Sequence, residues 1–183
     1  MTYTVAYIVG SISKNSLNRR LSQALITRAP QNLTFTEVTI ADLPLYNPDH
    51  DAHFLPLAAE KKAVIEASDA LMIVTPEYNR SIPGVLKNAI DWFSRPWGHG
   101  SLGGKPTLVA GASVGPMGAA FAQDDLKKIL TFFNAHLLGQ PELYINLTGD
   151  DFADDGHILR EGTDAFLAGA MQTFAAHIEA TLR

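Results

Sequence analysis

The stretch ALMIVTPEYNRSIPGVLKNAIDWFSRP, residues 70–96, joins a buried strand, a polar loop and an amphipathic helix in one short segment. Its first five residues, Ala70–Val74, form a continuous apolar run typical of a strand that is covered on both faces. The run ends in a polar turn around residues 76–79, and apolar residues then recur at helical spacing from Ile82 to Phe93. Because ligands bind at the carboxyl ends of strands in open parallel sheets, this loop is predicted to hold a flat polar ring.

The alternation of strand and helix continues through the rest of the chain. Strands are expected at residues 3–9, 33–40, 70–74, 107–112 and 142–147, with helices between them. This pattern predicts a three-layer α/β sandwich around a five-stranded parallel sheet. The apolar first, third and fourth strands suit central positions and the mixed second and fifth strands suit edges, which favours the flavodoxin-like order 2-1-3-4-5. No linker or internal repeat interrupts the chain, so residues 1–183 are expected to form one domain.

Composition narrows the functional classes. A net charge of −5 argues against a nucleic-acid footprint. The absence of cysteine excludes disulfides, thiolate nucleophiles and cysteine-ligated metals, and the six histidines lack metal-ligand spacing, so no metal site is expected. No apolar segment reaches the ~20 residues of a membrane span, and a cytoplasmic protein is expected.

Three loops follow the central strands, and each can be interpreted as a ligand loop or as an ordinary connection. Residues 10–18, GSISKNSLN, offer hydroxyls and free helix N–H groups for a phosphate, or they form a simple capping turn. Residues 76–81 can line a ring, or they form a turn without a ligand. The small residues at 111–119 permit close approach to the backbone, or they make a tight strand-to-helix connection. Ser81 is expected to cap the helix after the second of these loops, with Pro83 in its first turn.

Taken together, these loops resemble the signatures of the NADPH-dependent FMN reductase family, which includes quinone, chromate and azo-dye reductases. The similar segments are GSISKNSLN at 10–18, LPLYN at 43–47, PEYNRSIPGVLKNAIDW at 76–92 and the Gly/Ser loop at 112–118. The resemblance covers nearly the whole chain. It implies FMN as cofactor and a ping-pong reaction, in which NAD(P)H gives a hydride to FMN and a quinone, chromate, ferric chelate, azo dye or free flavin then takes the electrons. It also implies a homodimer or tetramer with each flavin pocket near the partner subunit.

The resemblance implies site residues position by position. The residues expected at the FMN phosphate are Ser11, Ser13, Ser16, Leu17 and Asn18. Those expected around the flavin ring are Pro76, Glu77, Tyr78, Asn79 and Arg80, with Ser113 and Gly115 on a third side. Many relatives carry an arginine where this chain has Ser13, so Lys14 or Arg19 is a candidate to supply positive charge near the phosphate.

Four residues are candidates for the reaction itself: Tyr78, Asn79, Arg80 and Arg95. Backbone donors of residues 78–80 are expected to stabilise negative charge on the reduced ring. Arg80 and Arg95 are expected to contact a nucleotide phosphate or an anionic substrate. For Arg95, a surface position or an interface ion pair is an equally open interpretation.

Two other functions fit parts of the sequence. An FMN electron carrier would share the fold but serve a partner protein. A serine hydrolase is the second alternative, because residues 111–115 match the G-x-S-x-G nucleophile elbow around Ser113. The acidic and basic partners would follow in hydrolase order, at Asp150, Asp151, Asp154, Asp155 and His157.

The chain also carries a group of aromatic residues in and around two of its helices. They are Trp92, Trp97, Phe132 and Phe133. They fit either core packing or a subunit interface.

Overall fold

The structure is a computed structural model, and it describes residues 1–153 and 156–183. Strands and helices alternate as follows: β1 (Tyr3–Val9), α1 (Leu17–Thr27), β2 (Leu33–Glu37), α2 (Pro56–Glu66), β3 (Ala70–Val74), α3 (Gly84–Phe93), β4 (Pro106–Ser113), α4 (Ala120–Phe132), β5 (His136–Leu137), β6 (Leu143–Asn146) and α5 (Thr163–Leu182). Short 3-10 turns lie at Pro48–His50 and Gly149–Asp151.

The sheet is parallel and runs in the order β2-β1-β3-β4-β5, which confirms the flavodoxin-like prediction. One detail of that prediction is wrong: the fifth position is shared by two short strands. β5 pairs with the start of β4 at Pro106 and Thr107, whereas β6 pairs with its last four residues, Ala110 to Ser113. Pro141 lies between β5 and β6 and has no N–H to continue a ladder, so one long strand cannot form there.

The core lies in two layers, one on each face of the sheet. In β3, Ala70, Met72 and Val74 pack towards α1 and α5, and Leu71 and Ile73 pack towards the layer of α2, α3 and α4. All five residues are fully buried, as expected for a central strand that is covered on both faces.

The start of α3 differs from the prediction. The helix begins at Gly84 with Pro83 as its N-cap, so Ser81 does not cap it. Proline disfavours helical backbone at the residue before it, which here is Ile82, and this delays the helix. Ser81 instead pairs with Tyr78 across the preceding turn, and its hydroxyl donates to Asp125 Oδ2 at 2.6 Å.

Two properties of the described ranges bear on function. None of their helices is both long enough and apolar enough to cross a membrane. Among the same residues, no group of three or more histidine, aspartate or glutamate side chains is placed to hold a metal ion.

Candidate active site

The loops after β1, β3 and β4 converge on a cavity of about 230 Å³ at the carboxyl edge of the sheet. The residues that line it are Ser11, Ser13, Asn15, Ser16, Leu17, Asn18, Pro76, Glu77, Tyr78, Ala112 and Ser113. The fold thus brings together most of the residues expected at the phosphate and the ring. We call this space the loop cavity.

The phosphate side of the loop cavity is the amino terminus of α1. Ser16 is the N-cap, and its Oγ accepts the N–H of Arg19 at 3.2 Å. The N–H groups of Leu17 and Asn18 have no hydrogen-bond partner among the described residues. Free N–H groups at a helix start, with the hydroxyls of Ser11 and Ser13 beside them, fit a phosphate.

The side chain of Asn18 has a structural task. It is 2% exposed, and its amide makes two hydrogen bonds with the backbone of Ala112, donating to the carbonyl at 2.9 Å and accepting from the N–H at 2.8 Å. This exchange ties the first loop to the end of β4. Only the backbone N–H of Asn18 is therefore left to face a phosphate.

The cations proposed to compensate for Ser13 lie on the other side of the first loop. Arg19 and Lys14 line a separate cavity of about 250 Å³, which shares Ser11 and Ser13 with the loop cavity. The guanidinium of Arg19 is paired with Glu37 at 2.8 Å, and Tyr7 donates its hydroxyl to the same carboxylate at 3.1 Å. Burial and the nearby Glu37 raise the pKa of Tyr7 above its ordinary value, so its hydroxyl stays protonated at neutral pH.

The second loop is a two-residue hairpin. Tyr78 and Ser81 exchange backbone hydrogen bonds of 3.0 and 3.1 Å, and the residues between them, Asn79 and Arg80, have φ of 53° and 67°. Two successive positive φ values define a type I′ turn, in which the central N–H groups point away from the hairpin. Neither central N–H is hydrogen-bonded within the described ranges, so both are available to a ligand.

Glu77 holds this hairpin against α4. Its Oε2 accepts the N–H groups of Phe121 at 3.0 Å and Ala122 at 3.4 Å, at a helix end whose N-cap residue, Ala119, provides no side-chain cap. Its Oε1 accepts from Arg80 at 3.2 Å. The carboxylate thus replaces the missing cap and compensates the helix dipole. The guanidinium of Arg80 lies at the rim, with a side chain that is 69% exposed.

The third loop bends back on itself. The Ser113 hydroxyl accepts the N–H of Gly115 at 3.0 Å and donates to its carbonyl at 3.2 Å. Asn146 adds a further anchor, because its Nδ2 lies 2.9 to 3.3 Å from the carbonyl oxygens of Ser113, Val114 and Gly115. Nothing in the sequence pointed to Asn146, because these three carbonyls lie more than 30 residues away along the chain.

This geometry argues against the nucleophile elbow. Such an elbow needs a serine on a strained turn that leads directly into a helix. Ser113 ends β4, is absent from the described non-glycine residues with positive φ, and precedes α4 by seven residues. Of the acidic residues proposed for a hydrolase, Asp154 and Asp155 lie outside the described residues.

Arg95 lies away from the loop cavity within its own chain. It follows the carboxyl end of α3, whereas the hairpin precedes the amino end, and a helix of this length spans about 15 Å. The guanidinium pairs with Asp51 at 3.5 Å and lies 5.4 Å from the ring centroid of Tyr46. Arg95 also lines a cavity of about 470 Å³ together with the exposed Trp97 and Phe132.

Two of the segments that resemble the FMN reductases, residues 43–47 and 76–92, contact each other in the fold. Asn88 of α3 accepts the N–H of Tyr46 at 2.8 Å and donates to the carbonyl of Pro44 at 2.9 Å. Trp92, fully buried, donates its indole N–H to the same carbonyl at 2.7 Å. LPLYN and PGVLKNAIDW therefore form one clamp, which explains why Trp92 belongs to the core and not to an exposed aromatic surface.

Comparisons with known proteins agree with this geometry. Residues 3–150 match the family model of the NADPH-dependent FMN reductases. The chain is 43% identical over 178 residues to a 2-hydroxy-1,4-benzoquinone reductase of a Burkholderia species, with 97% of each chain covered. It is 42% identical to a quinone reductase of Pseudomonas putida, with 97% of this chain and 95% of the relative covered.

Solved structures extend the likeness to the fold. The flavoenzyme NAD(P)H:(acceptor) oxidoreductase FerB of Paracoccus denitrificans superposes with a TM-score of 0.93 at 43% identity, covering 98% of this chain and 99% of that one. An oxidoreductase of Corynebacterium diphtheriae, 18% identical, superposes with a TM-score of 0.74 over 98% of each chain and shows the shared fold alone.

Proposed function

The chain belongs to the NADPH-dependent FMN reductase family, and we propose that it uses FMN to pass electrons from NAD(P)H to a quinone. The observation that carries the proposal is the loop cavity, where loops from three strand ends meet and the start of α1 presents unpaired N–H groups and hydroxyls. When bound there, FMN supplies a ring that accepts a hydride from NAD(P)H and passes the electrons on.

The chain's first task is to hold the phosphate end of the cofactor. Ser11, Ser13 and Ser16 contribute hydroxyls, and Leu17 and Asn18 contribute backbone N–H groups at the start of α1. The positive end of the helix favours an anion at this place. Because these donors are neutral and Arg19 is engaged by Glu37, the helix end carries most of the attraction.

The second task is to hold the ring and stabilise charge on it. Pro76, Glu77 and Tyr78 line one wall of the loop cavity. The turn that follows them leaves the N–H groups of Asn79 and Arg80 available to donate to ring oxygens or nitrogens. Fixed donors stabilise negative charge without reorganisation, and the two hairpin hydrogen bonds keep these N–H groups fixed. Ser113 lines the third side, and its hydroxyl accepts the N–H of Gly115.

We choose a quinone as acceptor because of the similar proteins. Relatives of 41 to 43% identity that are covered almost end to end carry names of quinone reductases. The half-exposed Tyr78 and exposed Arg80 leave the rim of the loop cavity open to small acceptors. Chromate, ferric chelates, azo dyes and free flavins fit the same open rim as secondary acceptors.

We further propose a homodimer that uses the exposed aromatic surface. Trp97 is 73% exposed and Phe132 is 67% exposed, and both border the cavity that contains Arg95. Large apolar groups at this exposure favour contact with another protein surface. In such a dimer Arg95, which lines the same cavity as Trp97 and Phe132, would lie at the subunit interface. The use of NAD(P)H as co-substrate favours a cytoplasmic location.

The experiment is steady-state kinetics with the purified FMN-loaded protein, NADPH and 1,4-benzoquinone. Parallel double-reciprocal lines at several fixed quinone concentrations support the proposed ping-pong scheme. An electron carrier would oxidise NADPH only when a separate reductase is added. NADPH oxidation that requires such a partner would contradict the proposal.

A further inference from the structure

The described residues between β6 and α5, 147–153 and 156–162, form a segment that lies mostly beyond the residues that match the family model. Phe152 and Ile158 form an antiparallel bridge within it. Arg20 of α1 fastens the segment to the body of the protein by donating to the carbonyls of Gly149 at 2.8 Å and Phe152 at 3.3 Å. The segment is thus attached to the same helix whose start faces the loop cavity.

An arginine of the segment itself, Arg160, reaches the third loop through Asn146. Arg160 Nη1 donates to the backbone carbonyl of Asn146 and, at 3.2 Å, to its side-chain oxygen. The other edge of the guanidinium is held by Asp151, with Nε to Oδ1 at 3.2 Å and Nη2 to Oδ2 at 3.0 Å. Asp151 is itself fixed by the N–H of Thr148 at 2.7 Å and its hydroxyl at 3.0 Å.

These contacts determine which way the Asn146 amide points. Arg160 can only donate, so the amide oxygen must face it and the NH₂ group must face the carbonyls of Ser113, Val114 and Gly115. If the amide were reversed, its oxygen would face three carbonyl oxygens and its NH₂ would face a cation. The arginine therefore holds the amide in the one orientation that anchors the third loop.

We propose that Arg160 is a positioning residue for the flavin site, acting through Asn146 to fix residues 113–115 against the flavin ring. This inference rests on the proposed function, because it assigns the third loop to the flavin. Ser113 and Ala112 line the loop cavity, and Ala112 is also the partner of Asn18, so a displacement of this loop reaches the phosphate side too. Asp151 acts in turn as the anchor of Arg160.

The test compares FMN affinity in three variants. Arg160→Gln and Asn146→Ala are expected to raise the FMN dissociation constant about tenfold, since each removes hydrogen bonds that fix a site loop. Arg20→Gln is the matched control, because Arg20 fastens the same segment but makes no hydrogen bond with residues 113–115 among the described residues. It is expected to lower the melting temperature while changing FMN affinity less than about twofold.

Two further readouts separate positioning from general destabilisation. The double variant Arg160→Gln/Asn146→Ala is expected to bind FMN no more weakly than the worse single variant, because both act on one loop through one chain of contacts. The visible circular dichroism of bound flavin is expected to change in both single variants and to stay unchanged in Arg20→Gln.

The outcomes that overturn the inference are distinct from those that overturn the function. Wild-type affinity and wild-type flavin dichroism in Arg160→Gln and Asn146→Ala would refute the positioning role, as would an equal loss of affinity in Arg20→Gln. If Arg160→Gln does not fold, Asn146→Ala carries the test alone. Failure of the wild-type protein itself to bind FMN would refute the proposed function.

Discussion

Glu77 illustrates at the scale of one residue how the second loop is held in place. Its side chain is 11% exposed, and its carboxylate serves the start of α4 and the guanidinium of Arg80 together. The sequence predicted Glu77 as a ring contact, and Glu77 does line the loop cavity. Its further role as an anchor for the hairpin that carries Asn79 was not predicted, because the partner helix begins more than 40 residues later along the chain.

Replacing Glu77 by glutamine is expected to destabilise the protein by about 1 kcal/mol, since the neutral amide loses the charge–dipole attraction at the helix start. Urea unfolding measures the change. The matched control is Asp91→Asn, which breaks an exposed ion pair with Lys87 and is expected to cost no more than about 0.5 kcal/mol. Equal losses in the two variants would show that Glu77 is an ordinary surface acid.

Asp151 gives a prediction about pH. The N–H of Thr148, and then the Thr148 hydroxyl and Arg160, hold the pKa of this carboxyl below its ordinary value of 3.8. A carboxyl with a lowered pKa in the folded state stabilises the protein above 3.8, and this stabilisation is lost as the pH falls through the folded-state pKa. The stability difference between wild type and Asp151→Asn is therefore expected to be constant from neutral pH to about pH 5 and to shrink below 3.8.

Urea unfolding at several pH values measures this difference. The control is Glu60→Gln, because Glu60 is exposed and has no hydrogen bond or ion pair within the described ranges. A difference in stability between wild type and Asp151→Asn that stays unchanged in strongly acidic buffer would contradict the assignment of Thr148 and Arg160 as the groups that lower the pKa of Asp151.

At the scale of elements, the sequence predicted best the limits of those strands that depend on their own residues alone. The limits of β1 and β3 were predicted to the residue, because continuous apolar runs between polar loops leave no other choice of strand. The division of the fifth position between β5 and β6 was not predicted, since it depends on how each short piece meets β4. The cap of α3 was misplaced because Pro83 moves the helix start past Ser81.

The clamp between α3 and residues 43–47 yields the prediction at this scale. Asn88→Ala removes the hydrogen bonds to Tyr46 and Pro44 and is expected to lower stability by about 1 kcal/mol. The neighbouring exposed residue provides the control, because Lys87→Ala affects only the surface pair with Asp91. Thermal unfolding of both variants compares the two effects, and equal melting temperatures would show that the clamp adds nothing to stability.

The candidate site as a whole was predictable as a set of loops, but not as a set of contacts. The three loops lie where the parallel sheet requires, so Ser11, Tyr78 and Ser113 meet in one cavity. The supporting residues, Asn88, Asn146 and Arg160, were missed because their roles arise from distant parts of the chain that meet only in the fold. Arg95 was predicted to contact a nucleotide phosphate or an anionic substrate, or to form a surface or interface ion pair. Within one chain it pairs with Asp51 and lies beside Trp97 and Phe132.

At the scale of the whole molecule, the exposed aromatic surface leads to a prediction about assembly. Phe132→Ser is expected to weaken a homodimer at least tenfold, because it removes a large apolar group from the proposed interface. Sedimentation equilibrium measures the dissociation constant. Leu182→Ser, at the end of α5 and 45% exposed, is the control and is expected to leave assembly unchanged. A wild-type protein that stays monomeric at high concentration would contradict the proposed dimer.

The central claim is that this chain carries FMN in the loop cavity and moves electrons through it. An anaerobic titration of the FMN-loaded protein tests this claim most directly, with NADPH added first and 1,4-benzoquinone second, while the visible flavin absorption is recorded. We expect NADPH to bleach the flavin band and the quinone to restore it, without any other protein present. A flavin band that NADPH leaves unchanged, or a purified protein that takes up no FMN at all, would contradict the claim.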